Sequence, residues 1–156
     1  SIPGISSAIT AAIMLAIEVG ILAVFMIALD FVPPITILLL PLVLALEFVF
    51  VVGVCLPLSV LNVKFKDTEF IWGVVLSAGF FLTPIFYQFD MLPEYIQNIL
   101  QFSPMVQILT MAHHVVLYGV LPSLNTVLYA VGSISVVTAI GYLIFRKYQA
   151  KVVEEM

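Results

Sequence analysis

Little of this sequence is charged. Asp, Glu, Lys and Arg together make up 9% of its 156 residues, against 63% hydrophobic, and the mean hydropathy is +1.26. A water-soluble domain of this length needs far more polar surface to cover its core, so the sequence argues against one and for lipid as the solvent. Basic residues are scarcest: Lys64, Lys66, Arg146, Lys147 and Lys151 are the full set. They form no stripe, which argues against nucleic acid as a partner. Cys55 is the single cysteine. An internal disulfide is therefore impossible, and a thiol in an apolar run has packing as its simplest role. No phosphate loop of the G-x-x-x-x-G-K-[ST] kind is present, nor H-E-x-x-H or G-x-S-x-G. The chain is thus not an enzyme of those designs and needs no cofactor or metal of its own; if ATP drives it, another polypeptide holds the ATP and Mg. A basic leader with a cleavage site is also missing, and the chain begins at Ser1. We expect a longer protein to precede it.

What is present is a series of apolar runs of bilayer-crossing length. The first covers 5–29 and contains Glu18; Asp30 and the pair Pro33-Pro34 close it. The second covers 35–60, with Pro41 and Pro57 predicting kinks and Glu47 inside it. A polar stretch from Asn62 to Glu69 follows. The third run, 70–87, barely suffices to cross, and Thr83-Pro84 bends or breaks it near its far end. Trp72 at one end and Phe86, Tyr87 and Phe89 at the other match interfacial aromatic belts. The last run is 124–145, ahead of Arg146-Lys147.

Between the third and last runs, residues 93–121 are too broken for a span. Pro93 opens a short helix, Glu94–Phe102, and Pro104 opens another, Met105–Leu117, which Gly119 and Pro122 end. If the second crossed fully, Lys64 and Lys66 would lie opposite Arg146, Lys147 and Lys151. If the segment dips in and returns, all five basic residues share one side. The excess of Lys and Arg on cytoplasmic loops favours the second arrangement. The expected fold is therefore all-α and integral to the membrane: one domain, 1–156, with four transmembrane helices plus an outer re-entrant helical hairpin between the third and fourth. Both ends of the chain would be cytoplasmic, and Asp30, Asp90 and Glu94 outside.

Several residues stand out against this background. Glu18 and Glu47 are carboxyls inside spans, which is costly and marks a functional candidate. Each lies 12 residues from its end of the intervening loop, counted from Asp30 and Ile35, so antiparallel helices place them at similar depth. Facing each other, they could share one proton. A neutral carboxyl hydrogen-bonded between helices is the plainer account. His113 and His114 are adjacent and point about 100° apart on a helix, which disfavours joint metal binding. Phe81, Pro84, Tyr87 and Tyr95 gather toward the outer side, where aromatic faces serve as a belt or line a conduit for sugar rings. Gly73-x-x-x-Ser77, and Ser133 with Gly141, offer small-residue faces for helix packing. Lys64, Lys66 and Asp67 form the most plausible cytoplasmic contact.

The string Leu61-Asn62-Val63-Lys64-Phe65-Lys66-Asp67 resembles the L-N-V-x-[FY]-[RK]-D signature of type-2 ABC exporter permeases, the membrane subunits that export O-antigen, capsule or teichoic-acid polysaccharides. Phe81-Leu82-Thr83-Pro84-Ile85-Phe86-Tyr87 is similar to the family's F-L-[ST]-P-[IV]-x-[YF]. Met91-Leu92-Pro93-Glu94-Tyr95 resembles its M-[LV]-P-x-[WY] turn. Ser103-Pro104 through Gly119 resembles a later stretch, with Ser103 where the family usually has Asn and His113 where it often has Arg.

The resemblance implies six spans plus outer re-entrant helices in the full protein, of which this chain would hold the last four. It implies a homodimer with a second permease copy, two ATP-binding-cassette ATPase subunits docked near Lys64, Lys66 and Asp67, and a glycan or glycolipid substrate threaded outward across the cytoplasmic membrane. Phe81, Pro84, Tyr87 and Tyr95 would sit at the outer gate. Alternatives are a permease of similar build exporting drugs or lipids, a proton-coupled carrier using Glu18 and Glu47, and a membrane scaffold that transports nothing.

Overall fold

The computed structural model describes residues 2–85 and 87–154; the side chains of residues 2–4, 7 and 151–154 are outside that description, as is Phe86. The described chain is helical throughout, without a strand. Six α-helices are ordered along it: α1 (Ile2–Ala28), α2 (Leu40–Lys64), α3 (Thr68–Leu82), α4 (Glu94–Leu100), α5 (Pro104–His113) and α6 (Leu124–Glu154).

Helix boundaries follow local chemistry. Asp30 takes the left-handed conformation, φ 50°, just past the end of α1. Its amide donates to the Ile27 carbonyl and the Phe31 amide donates to the Met26 carbonyl, a paired closure that satisfies the last carbonyls of the helix. Pro33 and Pro34 then hold the chain extended. Residues Ile35–Leu39 form a 3-10 turn before α2 proper. Pro41 consequently lies in the first turn of α2, where no hydrogen bond is lost, and not at a mid-span kink as expected; Pro57 alone is interior. α2 continues to Lys64, beyond the predicted boundary, which puts a cation at the negative end of the helix dipole.

The third helix is the main correction to the sequence-based boundaries. It ends at Leu82 and has 15 residues, about 22 Å of helix, well short of a bilayer core. Thr83 precedes a proline and is extended (ψ 131°), so the helix cannot reach Tyr87. α4 lies inside the expected Glu94–Phe102, and α5 starts at Pro104, one residue before the expected Met105–Leu117. The second does not stay α-helical: a π-turn occupies His114–Tyr118, and Gly119, at φ 64°, stops it. Ser123 opens α6 by accepting a hydrogen bond from the Thr126 amide (3.2 Å), and α6 runs on beyond Phe145.

Helices α2 and α6 run parallel and touch closely. A Cβ on Gly53 would lie 2.7 Å from the Thr138 hydroxyl and 2.9 Å from its Cα, and one on Gly141 would strike the Gly53 carbonyl. Missing side chains at this crossing let the two backbones approach. Gly73, by contrast, has nothing within 4 Å, and the Ser77 hydroxyl turns back to the Gly73 carbonyl at 2.9 Å. The expected Gly73–Ser77 packing face is unused in this chain.

The buried core occupies one end of the bundle. Val43 of α2, Ile108 and Met111 of α5, Val115 and Val116 of the π-turn, and Ala130 and Ile134 of α6 form one cluster. Ala130 and Ile134 lie about 9 and 15 Å along α6 from its start at Leu124. The Thr36 hydroxyl donates to the Val115 carbonyl (2.8 Å), and Gly119 abuts Pro34. The α4–α5 hairpin is therefore seated at the end where α2 and α6 begin, beside the α1–α2 connection. Elsewhere the helices present apolar side chains outward.

Candidate functional site

Three groups of predicted residues occupy three places. At the far end of α3, the Thr83 amide (2.9 Å) and hydroxyl (2.7 Å) both donate to the Gly79 carbonyl, and the break at Pro84 releases carbonyls beyond it. Tyr87 folds back so that its hydroxyl donates to the carbonyls of Leu82 (2.9 Å) and Phe81 (3.2 Å). Thr83 and Pro84 are buried, while Phe81 stays exposed with its ring edge-to-face on Phe80 (centroids 5.8 Å apart). Phe81, Pro84 and Tyr87 are thus brought into one small structure. Tyr95 is on α4, exposed, beyond that cluster.

Between α1 and α2 lies an open groove of about 470 Å³. Glu18 and Glu47 both line it. Ser6, Thr10 and Cys55 add polar atoms to a wall that is otherwise apolar, including Met14, Leu15 and Phe48. The Thr10 hydroxyl is already held by the Ser6 carbonyl (3.0 Å). Cys55 lines this groove as a half-buried free thiol.

The charged string at 61–67 forms the turn from α2 to α3. The Phe65 amide donates to the Leu61 carbonyl (2.8 Å) and the Thr68 amide to the Phe65 carbonyl (3.1 Å). The Thr68 hydroxyl caps the carbonyls of Phe65 (2.7 Å) and Leu61 (3.2 Å). All seven residues Leu61–Asp67 are exposed, and the Lys64 ammonium sits 5.5 Å from the Phe65 ring centroid. The turn is an exposed, hydrogen-bonded knob carrying two lysines at the end opposite the core.

His113 ends α5 and His114 opens the π-turn. Burial, with a lesser contribution from the neighbouring His114, holds the His113 imidazole below its ordinary value. The Nδ1 atom of His114 is buried without a hydrogen-bond partner, and its ring lies 5.9 Å from that of Tyr118. Among the described residues no three of His, Cys, Asp and Glu group as metal ligands would.

Sequence reasoning missed Gly53 and Thr36. Gly53 is an isolated glycine in an apolar run, and its role shows only against α6. Thr36 bonds a carbonyl 79 residues away. Neither has a local signal.

Three helices, Ala8–Ala28, Ile35–Lys64 and Leu124–Ala150, are long and apolar enough to cross a bilayer, which defines a multi-pass, all-helical membrane protein. The profile of the ABC-2 type transporter family matches residues 2–117, and this chain belongs to that family. Two similar curated proteins are both O-antigen export system permease proteins RfbA of Klebsiella pneumoniae, 28% and 29% identical over 116 residues. The matched region is 74% of this chain and 44% of each relative, so the chain spans under half their length.

Proposed function

We propose that this chain is part of the membrane-spanning subunit of an ATP-driven exporter that moves polysaccharide or lipid-linked glycan outward across the cytoplasmic membrane. The observation that carries this reading is the likeness to two O-antigen export permeases, together with a family profile over residues 2–117 that holds the basic turn at Lys64–Asp67 and both α4 and α5. In this reading a second permease copy completes the conduit. An ATP-binding-cassette subunit, holding ATP and Mg, docks on the knob formed by Lys64, Lys66 and Asp67. Phe81, Pro84 and Tyr87 form the outer gate, where the Tyr87 hydroxyl keeps the helix end closed.

The topology in this reading is four crossings with a re-entrant hairpin. It is supported by the parallel course of α2 and α6 and by the seat of the hairpin where both begin. Lys64, Lys66, Arg146 and Lys147 then fall at the other, cytoplasmic end. α3 makes the third crossing, with the extended residues after Leu82 completing it. Cysteines at Lys66 and at Asp90 should label from opposite sides of intact cells; labelling from the same side would refute the arrangement.

The functional test is purification of the full-length protein from its native membrane with mass spectrometry of what accompanies it. A stoichiometric ATPase bearing a phosphate loop is the expected result. Its absence under mild detergents would remove the ABC reading. The groove holding Glu18 and Glu47 favours one competitor, a proton-coupled carrier, which would transport without any such partner.

A further inference from the structure

We propose that Pro57 makes α2 a hinged helix: the part up to Leu56 is held by α5 and α6, and the last turns, Leu58–Lys64, tilt about a pivot at Gly141. Proline has no amide hydrogen, so the Gly53 carbonyl, one turn earlier, loses the partner that position 57 would otherwise supply. That same carbonyl is set against Gly141 of α6, with the Pro57 ring beside it. A Cβ on Gly141 would strike the carbonyl and come 3.2 Å from the Pro57 Cδ. The Gly141 hydrogen standing in place of that Cβ therefore points at the freed carbonyl, a weak Cα–H···O contact where a full hydrogen bond is missing. Two bare backbones in such a contact can rock on each other, which interdigitated side chains would prevent.

The two sides of Pro57 are held differently. Before it, Val43 belongs to the buried cluster with residues of α5 and α6. After it, Val60 is the one buried residue of α2. Toward α1, a small void lined in part by Ala8, Ala11, Cys55, Leu56 and Ser59 leaves space beside the hinge. The Ser59 hydroxyl turns back to the Leu56 carbonyl (2.7 Å), a side-chain bond that competes with helical bonding at the same place. α6 contains no proline and is the straight member of the pair. A tilt of about 20°, the size at which proline kinks begin, would carry Lys64, about 10 Å of helix past Pro57, sideways by about 4 Å. α3 travels with it. The Thr68 hydroxyl and the Phe65 amide both bond the Leu61 carbonyl and tie the turn to α2. α3 itself has no buried residue, and a Cβ on Gly73 or Gly79 would meet nothing within 4 Å, so little in this chain holds it back. The hinge follows from geometry within the chain and holds whichever substrate is carried.

Pulsed EPR distances in the full-length protein with its native partners, in lipid nanodiscs, read the tilt. Cys55 is replaced by Ser, and labelled copies are diluted with unlabelled ones so that only distances within one chain count. One spin pair, Lys64→Cys with Gln149→Cys, spans the last turns of α2 and α6. The other, Ala45→Cys with Leu128→Cys, spans the clamped end. All four positions are exposed. We expect two populations about 4 Å apart for the first pair and a single one for the second. Pro57→Ala restores the amide and should remove one of the two populations while leaving the clamped end unchanged. Pro41→Ala, in the first turn where no hydrogen bond is lost, should change neither pair. A single population for Lys64 with Gln149 when Pro57 is present would overturn the proposal, and that outcome needs no proline variant. Two populations that survive Pro57→Ala would place the motion elsewhere and overturn it equally.

Discussion

Gly141 of α6 lies directly against the backbone carbonyl of Gly53 on α2. The crossing sits below the buried cluster and has no room for a methyl group. Gly141→Ala should therefore force the helices apart, at a cost of about 1–3 kcal/mol, the usual range for overpacking. Gly20→Ala on α1, where nothing lies within 4 Å, should be neutral. Thermal melting of the two variants in the same detergent checks this; equal melting temperatures would show that the crossing is loose.

The hairpin is keyed to the α1–α2 connection by two small features. Gly119→Ala should strain the left-handed backbone by roughly 1–2 kcal/mol and push on Pro34. Thr36→Val keeps the shape but strands the Val115 carbonyl, at a cost of about 1 kcal/mol. Both should raise hydrogen exchange in residues 104–118 more than in α2. Uniform protection across both variants would mean that the core alone holds the hairpin.

Tyr87→Phe deletes both bonds to the end of α3, a change of about 1 kcal/mol localised to one break. We expect faster exchange at residues 82–88 with little change in melting temperature. In the exporter reading, glycan efflux should change as well, because the same hydroxyl closes the gate. Unchanged efflux with faster exchange would separate the bond from the gate.

Glu18 and Glu47 test the competing mechanisms. Glu18→Gln and Glu47→Gln keep the hydrogen-bonding atoms and remove the charge. ATP-driven export should survive both, and should survive a proton ionophore. Transport abolished by the ionophore and by either substitution would instead establish the proton-coupled carrier.

The imidazole of His113 supplies a pH dependence. Its value in the folded chain is depressed below 6.5 by burial and then by His114. As pH falls, the unfolded chain takes up the proton first, so the stability associated with neutral His113 is fully present above about 6.5 and declines as pH drops toward the folded value. Melting temperature should fall between neutral and mildly acidic pH, and His113→Gln should flatten that slope. An unchanged slope would assign the effect to other groups.

Where the long apolar helices end was legible because composition changes abruptly there. Asp30, Pro33 and Pro34 are local signals, and so are Lys64, Lys66 and Asp67. Counting along two antiparallel helices suggested similar depths for Glu18 and Glu47, and both line one groove. The end of α3 was half legible: Thr83-Pro84 was visible, but the apolar residues beyond it suggested continued helix, and backbone sterics at Thr83 prevail over hydropathy. Gly53 and Gly73 look alike in sequence. Only the passage of α6 beside one and not the other separates them, and that is a tertiary fact. The π-turn after His113 has no compositional mark at all.

The one-ended core has a consequence for biogenesis. Val43 shares its cluster with Ala130 and Ile134, which the ribosome delivers only after most of the intervening chain. Until α6 emerges, Val43 has only α5 and the π-turn beside it, the bare backbone at Gly53 has no partner, and α5 has only half of its socket. Helix α6 is the keystone of this bundle. Nascent chains stalled before Leu124 would carry helices with only half of the centre in place, and membrane quality-control proteases should discriminate them by that open seam from chains that hold α6.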